Sequence, residues 1–150
     1  MFVEISFVFI AILYSNFIEW AFHKYILHGL GKKRSSFWNF HWGEHHLSAT
    51  RHQFRDQTVY WKEIIALLGG GVIHLPIVWF APWAYGTLIL CGVNYYRVHR
   101  KSHLDPEWAR RKLPWHWDHH MGANQDLNWC VTWPLFDWVM GTRRTYFRGK

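Results

Sequence analysis

Ten of the twelve histidines in this 150-residue chain fall into four short clusters, and each cluster sits beside an apolar block. His23 and His28 stand with four residues between them. His41, His45 and His46 form H-x-x-x-H-H, His99 and His103 form H-x-x-x-H, and His116, His119 and His120 form H-x-x-H-H. On an α-helix, positions i and i+4 lie about 40° apart and i and i+3 about 60° apart, so two such imidazoles reach one ion. Positions i and i+5 lie about 140° apart, which assigns His23 and His28 to two neighbouring ions. The tandem pairs His45-His46 and His119-His120 also diverge. The set suits two metals better than one. Shared between two ions, ten ligands give about five each and leave a position for oxygen. Neutral nitrogen donors favour iron, zinc, copper or nickel over magnesium or calcium. His52 and His74 stand outside the clusters; the first reads as a solvated loop residue and the second as a polar residue hydrogen-bonded inside a helical bundle.

The rest of the sequence says where this site is built. Residues 5–18 are almost uniformly apolar, and counted on to 22 they reach the ~20 residues of a membrane span. No basic stretch precedes them and no small-residue cleavage site follows, so they read as a retained span rather than a signal peptide. A second apolar block, 64–95, is too long for one span. Pro76, Pro82 and Gly86 interrupt it, predicting a hairpin with arms over 61–80 and 83–97 and a turn at 81–86. That makes about three spans. The Gly69-Gly70-Gly71 run would admit a close helix approach.

The formal charge is +7, yet there is no Lys or Arg between Glu63 and Tyr96. The basic residues flank the apolar blocks. By the bias of basic residues towards the cytosol, the N-terminus and hairpin tip lie outside and the histidine clusters lie on the cytosolic side. This distribution and the apolar blocks argue against a nucleic-acid module, which needs a basic face on a soluble fold. A non-catalytic metal transporter would need polar residues threading the spans, and only His74 and a few hydroxyls are on offer. Two cysteines, Cys91 and Cys130, imply neither a disulfide framework nor a thiolate metal site. Trp115, Trp117, Trp129, Trp133 and Trp138 suit a C-terminal third lying on a membrane interface. Glu44, Asp118 and Asp126 are placed to hydrogen-bond ligand imidazoles.

Glu19-Trp20 followed by His23-Lys24-Tyr25-Ile26-Leu27-His28-Gly29 resembles the first box of the fatty acid hydroxylase superfamily, which includes fatty acid hydroxylases, sterol desaturases and oxidases, and short carotenoid hydroxylases. The later histidine boxes follow in that family's order. The stretch from Asn128 through Trp133-Pro134-Leu135-Phe136-Asp137 to Gly141-Thr142 resembles its C-terminal signature. The resemblance covers about residues 19–142. It implies an all-α integral-membrane helical bundle with a cytosolic helical cap, forming one domain over 1–150. It also implies two iron ions held by His23, His28, His41, His45, His46, His99, His103, His116, His119 and His120, with zinc able to take their place in purified protein. The implied reaction is O2-dependent hydroxylation of a lipid C–H bond. The Pro-Leu-Phe-Asp string is similar to the fatty acid and sterol branch, whereas the short chain and the H-K-Y-x-x-H-G string are similar to carotenoid hydroxylases; desaturation is the related outcome. An unactivated C–H bond is beyond acid–base chemistry and needs a cofactor metal, oxygen and two electrons. No protein acid or base is assigned apart from the ligands. The second box has three residues before its tandem pair where many members have two. The chain shows neither the usual four spans nor a fused electron-transfer domain. An external donor of the ferredoxin or cytochrome b5 type with its reductase is therefore expected, and an oligomer is compatible with this. The implied location is a bacterial inner membrane or the endoplasmic reticulum.

Overall fold

The computed structural model describes residues 2–146, with side chains from Glu4 onward. All the regular structure among these residues is helical. Helix α1 (Phe2–Ala21) continues without a break into a π-helical segment, Phe22–Leu30. A second π-helical segment, Phe40–His46, runs into the short α2 (Leu47–Arg51). Helix α3 (Trp61–His74) tightens into a 3₁₀ turn over Leu75–Trp79, where Pro76 cannot donate to an α ladder. The chain reverses at Phe80 and Ala81, and α4 spans Pro82–Leu104. The hairpin turn is thus tighter than 81–86. Gly86 lies inside α4, because Pro82 starts the helix at its first position, where a missing N–H costs nothing. The second arm does not stop near Arg97; it carries His99 and His103 on its last two turns.

The two longest apolar segments pack differently. Among the described residues two helices are long and apolar enough to cross a membrane, Glu4–Leu30 and Trp61–Trp79. The expected third span exists as helix α4, but its C-terminal part is polar and it does not meet the same measure. Helix α1 packs chiefly along α4. Small residues are buried between them, Ala11 with Ala81 and Ala84, and Ile77 and Leu88 pack alongside. Helix α3 buries none of its residues. It is tied to the others by polar contacts: the Tyr14 hydroxyl donates to His74 Nε2 (3.0 Å) and the Tyr85 hydroxyl to the Gly71 carbonyl (3.3 Å), while His74 Nδ1 donates within α3 to the Gly70 carbonyl (2.7 Å). His74 is therefore the bundle-facing polar residue expected. Of the glycine run only Gly71 meets a close neighbour, Ile89 Cδ1 at 3.3 Å from where a Cβ would stand; Gly69 and Gly70 face open space.

The polar end of the bundle is closed by short helices punctuated by proline. Pro106 opens α5 (Pro106–Lys112) and Pro114 opens α6 (Pro114–Met121). Asp105 caps α5 by accepting the Trp108 amide at 3.0 Å. Beyond α6 a loop leads to α7 (Leu135–Val139). Two carboxylates moor this loop. Asp137, fully buried, accepts the amides of Trp129 (2.8 Å) and Cys130 (2.9 Å) and the Thr142 hydroxyl (2.7 Å). Glu19, from the end of α1, accepts the amides of Val131 and Thr132 and the Thr132 hydroxyl. Asn128 adopts φ +59, a left-handed conformation that asparagine tolerates, and its side-chain oxygen accepts from Arg143 and from the Arg144 amide. Trp129 does not lie on an interface. It is buried with Trp20 and Cys130.

Candidate metal centre

The two π-helical segments decide how the histidines are shared. A π ladder bonds i to i+5, so a residue and its fifth successor return to the same face. His23 and His28 are so related within Phe22–Leu30, and His41 and His46 within Phe40–His46. All four converge with His119 into one buried set, their ligand atoms within 4.8 Å of one another. The α-helical expectation that His23 and His28 serve different ions, and that His41 partners His45, is corrected by this backbone. Elsewhere the α spacing holds: His99 and His103, one turn apart on α4, join His45 and His120 in a second set within the same limit. The tandem pairs divide, His46 and His119 to the first set, His45 and His120 to the second. His116 lies against the second set, its Nε2 3.2 Å from His103 Nε2.

The nitrogens stand at distances that suit an ion. In the first set His23 and His41 Nε2 are 2.9 Å apart, His28 and His46 3.0 Å, His119 and His46 3.1 Å, and His41 and His46 3.2 Å. With a metal–nitrogen bond of about 2.0–2.1 Å, two ligands at right angles stand about 2.9 Å apart.

Proton placement points the same way. The Nδ1 atoms of seven imidazoles face acceptors: the carbonyls of Trp129 (from His23, 2.5 Å), Leu127 (from His119, 2.7 Å) and Phe54 (from His103, 2.7 Å), and the side chains of Asp126, Gln125, Asp56 and Glu63 (from His28, His46, His45 and His99, 2.9–3.3 Å). Each Nδ1 therefore carries the hydrogen, and each Nε2 presents a lone pair inward. Lone pairs cannot satisfy one another. The Nε2 atoms of His45, His99 and His120 are buried without any hydrogen-bond partner, a costly state that a bound cation removes. The donor set therefore fits metal ions.

The family model for fatty acid hydroxylases matches residues 8–142, a stretch that contains every clustered histidine. The chain belongs to the fatty acid hydroxylase family. No curated protein and no solved structure matches it. Membership points to an oxidoreductase of the membrane hydroxylase and desaturase group, usually metal-dependent, with a lipid substrate and a membrane setting.

In this fatty acid hydroxylase family member, the groups behind the imidazoles were only partly visible in the sequence. Asp126 does hydrogen-bond His28, and is itself paired with Lys32 at 2.6 Å. Asp118 is buried and pairs with Arg143 at 3.1 Å, and Glu44 is exposed. The carboxylates that hold His45 and His99 are Asp56 and Glu63, from the polar stretch before α3 and the first turn of α3. Glu63 has a sequence signal, an acid at the lip of an apolar block; Gln125 and the three carbonyls have none. His52 is exposed and bonds the Ser48 carbonyl.

Burial in the helical cap disfavours charge. It holds His41, His46, His103, His116 and His120 well below the usual imidazole range and lowers His119 to about 4. His45 is also lowered by burial, against the opposing hydrogen bond to Asp56. Burial would raise Asp56, but the hydrogen bonds it accepts from His45, the Thr58 amide and the Tyr60 hydroxyl, with the charge of His45, together outweigh that and hold its carboxyl well below the ordinary range. An unfolded chain takes up protons on these histidines below about pH 6.5, whereas the fold keeps them neutral. Their contribution is therefore complete above that value and is lost as pH falls, by about 1.4 kcal/mol per unit for each imidazole. Metal content and thermal midpoint should hold at pH 7 and drop together, steeply, between about pH 6.5 and 4. Metal retained unchanged to about pH 4 would argue against histidine ligation.

Proposed function

We propose that this protein is a membrane-embedded di-iron monooxygenase, one domain over the whole chain, that hydroxylates a C–H bond of a fatty acyl or sterol-like lipid. The observation that carries this reading is the pair of converging, buried, inward-facing nitrogen sets. His23, His28, His41, His46 and His119 hold one iron; His45, His99, His103, His120 and His116 hold the other. When bound, the two ions supply the oxygen activation that no side chain can perform.

The chain's own work is to orient and to exclude water. The acceptors behind the imidazoles fix ring direction and keep the donor nitrogen deprotonated. The short helices α5 and α6 and the loop moored by Asp137 bury the sets. A cleft bordered by Val59, Tyr60, Tyr96 and Arg100 opens on His45, His99 and His103, with room for about one water-sized molecule. It is the approach we assign to the reacting part of the lipid. The exposed apolar surface of α3 and of the first turns of α4, from Leu68 and Val72 to Trp83 and Leu90, faces acyl chains. The basic segments and histidines then lie on the cytosolic side, and a cysteine placed at Phe80 should be labelled only from outside. Labelling from the cytosol would reverse this topology.

The test of function is isotopic. Protein loaded with iron in lipid discs should carry two iron atoms per chain and, given reductant and ¹⁸O2, return one labelled oxygen in a lipid product. One metal per chain would remove the dinuclear reading. A new double bond without label would make it a desaturase.

A further inference from the structure

Phe54 occupies a position that ordinary packing does not require. Its side chain is fully buried, yet its backbone takes φ +79 and that of Gln53 φ +53, a left-handed pair in non-glycine residues. The conformation is held by the Phe54 amide on the Ala49 carbonyl (2.6 Å) and by His103 Nδ1 on the Phe54 carbonyl (2.7 Å). Its result is a stack of three rings. Phe54 lies nearly parallel to His103, centroids 4.4 Å apart at 20°, and nearly parallel to Trp117 on its other face, 4.7 Å apart at 27°. Trp117 is only partly buried, so the stack runs from the surface to the second nitrogen set.

The surface around Trp117 is basic. The Arg110 guanidinium sits 6.0 Å from its ring. Arg51 and Arg55, exposed, flank the Phe54 turn, and Arg111 and Lys112 extend the patch along α5. Asp105 and Glu107 are the acids on α5; Glu107 is paired with Arg111 at 3.7 Å, and Asp105 caps the helix. Positive charge is left in excess. Two further tryptophans lie beside the cluster, Trp129, which is buried, and Trp42. Trp42 stacks on His46 at 5.4 Å, but Lys32, the cation over its ring, is tied to Asp126.

We propose that an acidic one-electron carrier protein, an iron–sulfur or haem protein, docks on the Arg51, Arg55 and Arg110 face and passes electrons through Trp117 and Phe54 to His103. The inference rests on the oxygenase reading, which consumes two electrons and two protons per O2, giving one hydroxyl and one water. Two reduced carriers each lose one electron in turn, and the protons come from solvent. Tunnelling falls off steeply with the gap between donor and acceptor, and rings in contact keep each gap short. A basic rim steers an acidic partner to the start of that path. An anionic lipid or a nucleic acid would also meet the charge, but would have no use for rings leading inward.

The test has two arms, both on the full chain in phosphatidylcholine discs. In the first, a zinc-loaded, redox-silent protein is titrated with a [2Fe–2S] ferredoxin of acidic surface. Binding should weaken with salt, and the double variant Arg55→Glu, Arg110→Glu should lower affinity about tenfold or more. Unchanged binding, or an oligonucleotide or phosphatidylserine disc bound in preference to ferredoxin, overturns the docking face. In the second, iron-loaded protein oxidises reduced ferredoxin in a stopped-flow instrument. Trp117→Leu should slow transfer at least severalfold with docking unchanged, and Trp117→Phe should keep most of the rate. Transfer at the original rate in Trp117→Leu overturns the path. Dithionite with a small dye should reduce the wild-type and Trp117→Leu centres equally. Failure of that control in the wild-type protein would count against the di-iron reading itself, and the first arm would still decide the docking face.

Discussion

Replacing His120 with Ala is expected to bring hydroxylated product to background while the protein still inserts in the membrane. His120 is buried, its ring stacked on His46 at 4.2 Å and edge-on to His45 and His103 at 4.9 and 4.7 Å. Both its ring nitrogens lack a hydrogen-bond partner, so nothing in the protein uses them. Its neighbours cannot stand in. His119 is held by the Leu127 carbonyl, and His116 projects from the same helix one turn earlier. The loss should exceed the ~10–100-fold that follows removal of an imidazole's outer hydrogen-bond partner. Membrane insertion should survive, because α1 and α3 are untouched. His52→Ala is the matched comparison. That ring is exposed and bonds only within its own turn, so most activity should remain. The measurement is product per unit of inserted protein. Full turnover in His120→Ala, or none in His52→Ala at normal expression, would show that the histidines have been divided wrongly.

Asp137→Ala should be the most destabilising single change outside the histidines. It strands two buried amides, Trp129 and Cys130, and takes the acceptor from the Thr142 hydroxyl. At about 1–3 kcal/mol for each of the two buried amides, the fold should lose roughly 2–6 kcal/mol; the Thr142 hydroxyl keeps its bond from Trp20 Nε1. Asp137→Asn should fall between, since its amide group can accept from one of the two N–H groups but not both. The damage should also be local. The same loop presents the Trp129 carbonyl to His23 and the Leu127 carbonyl to His119, both in the first set. Metal should therefore leave the first set at a lower chelator concentration than the second. Thermal unfolding with metal analysis reads both effects, and equal loss from the two sets would disconnect the loop from the site.

The residue types, the four clusters and the divergence of the tandem pairs were legible because side-chain direction on a regular helix follows from spacing alone. Reading His23 and His28 as partners of different ions failed for a related reason: the spacing was right and the ladder assumed for it was not. The third long helix was legible from Pro82, and His99 and His103 were expected at its end; only the bound near Arg97 fell short, because charge from there onward marks a membrane boundary and not a helix end. The groups behind the imidazoles were the least visible. Asp56 and Glu63 lie far in sequence from the rings they hold, and the carbonyls of Phe54, Leu127 and Trp129 leave no trace in residue identity. Asp137 and Glu19 showed in the sequence as parts of motifs, and only the folded loop explains them as its moorings.

The two π-helical segments bear on how such a box tolerates change. Removing one residue between His23 and His28 would shorten the interval to four, and an ordinary α ladder would then return both rings to one face. Box length and hydrogen-bond ladder compensate for each other. Chains whose boxes differ by a single codon can therefore assemble the same ring of nitrogens, and a strict interval is a poor criterion for tracing distant kin of this protein.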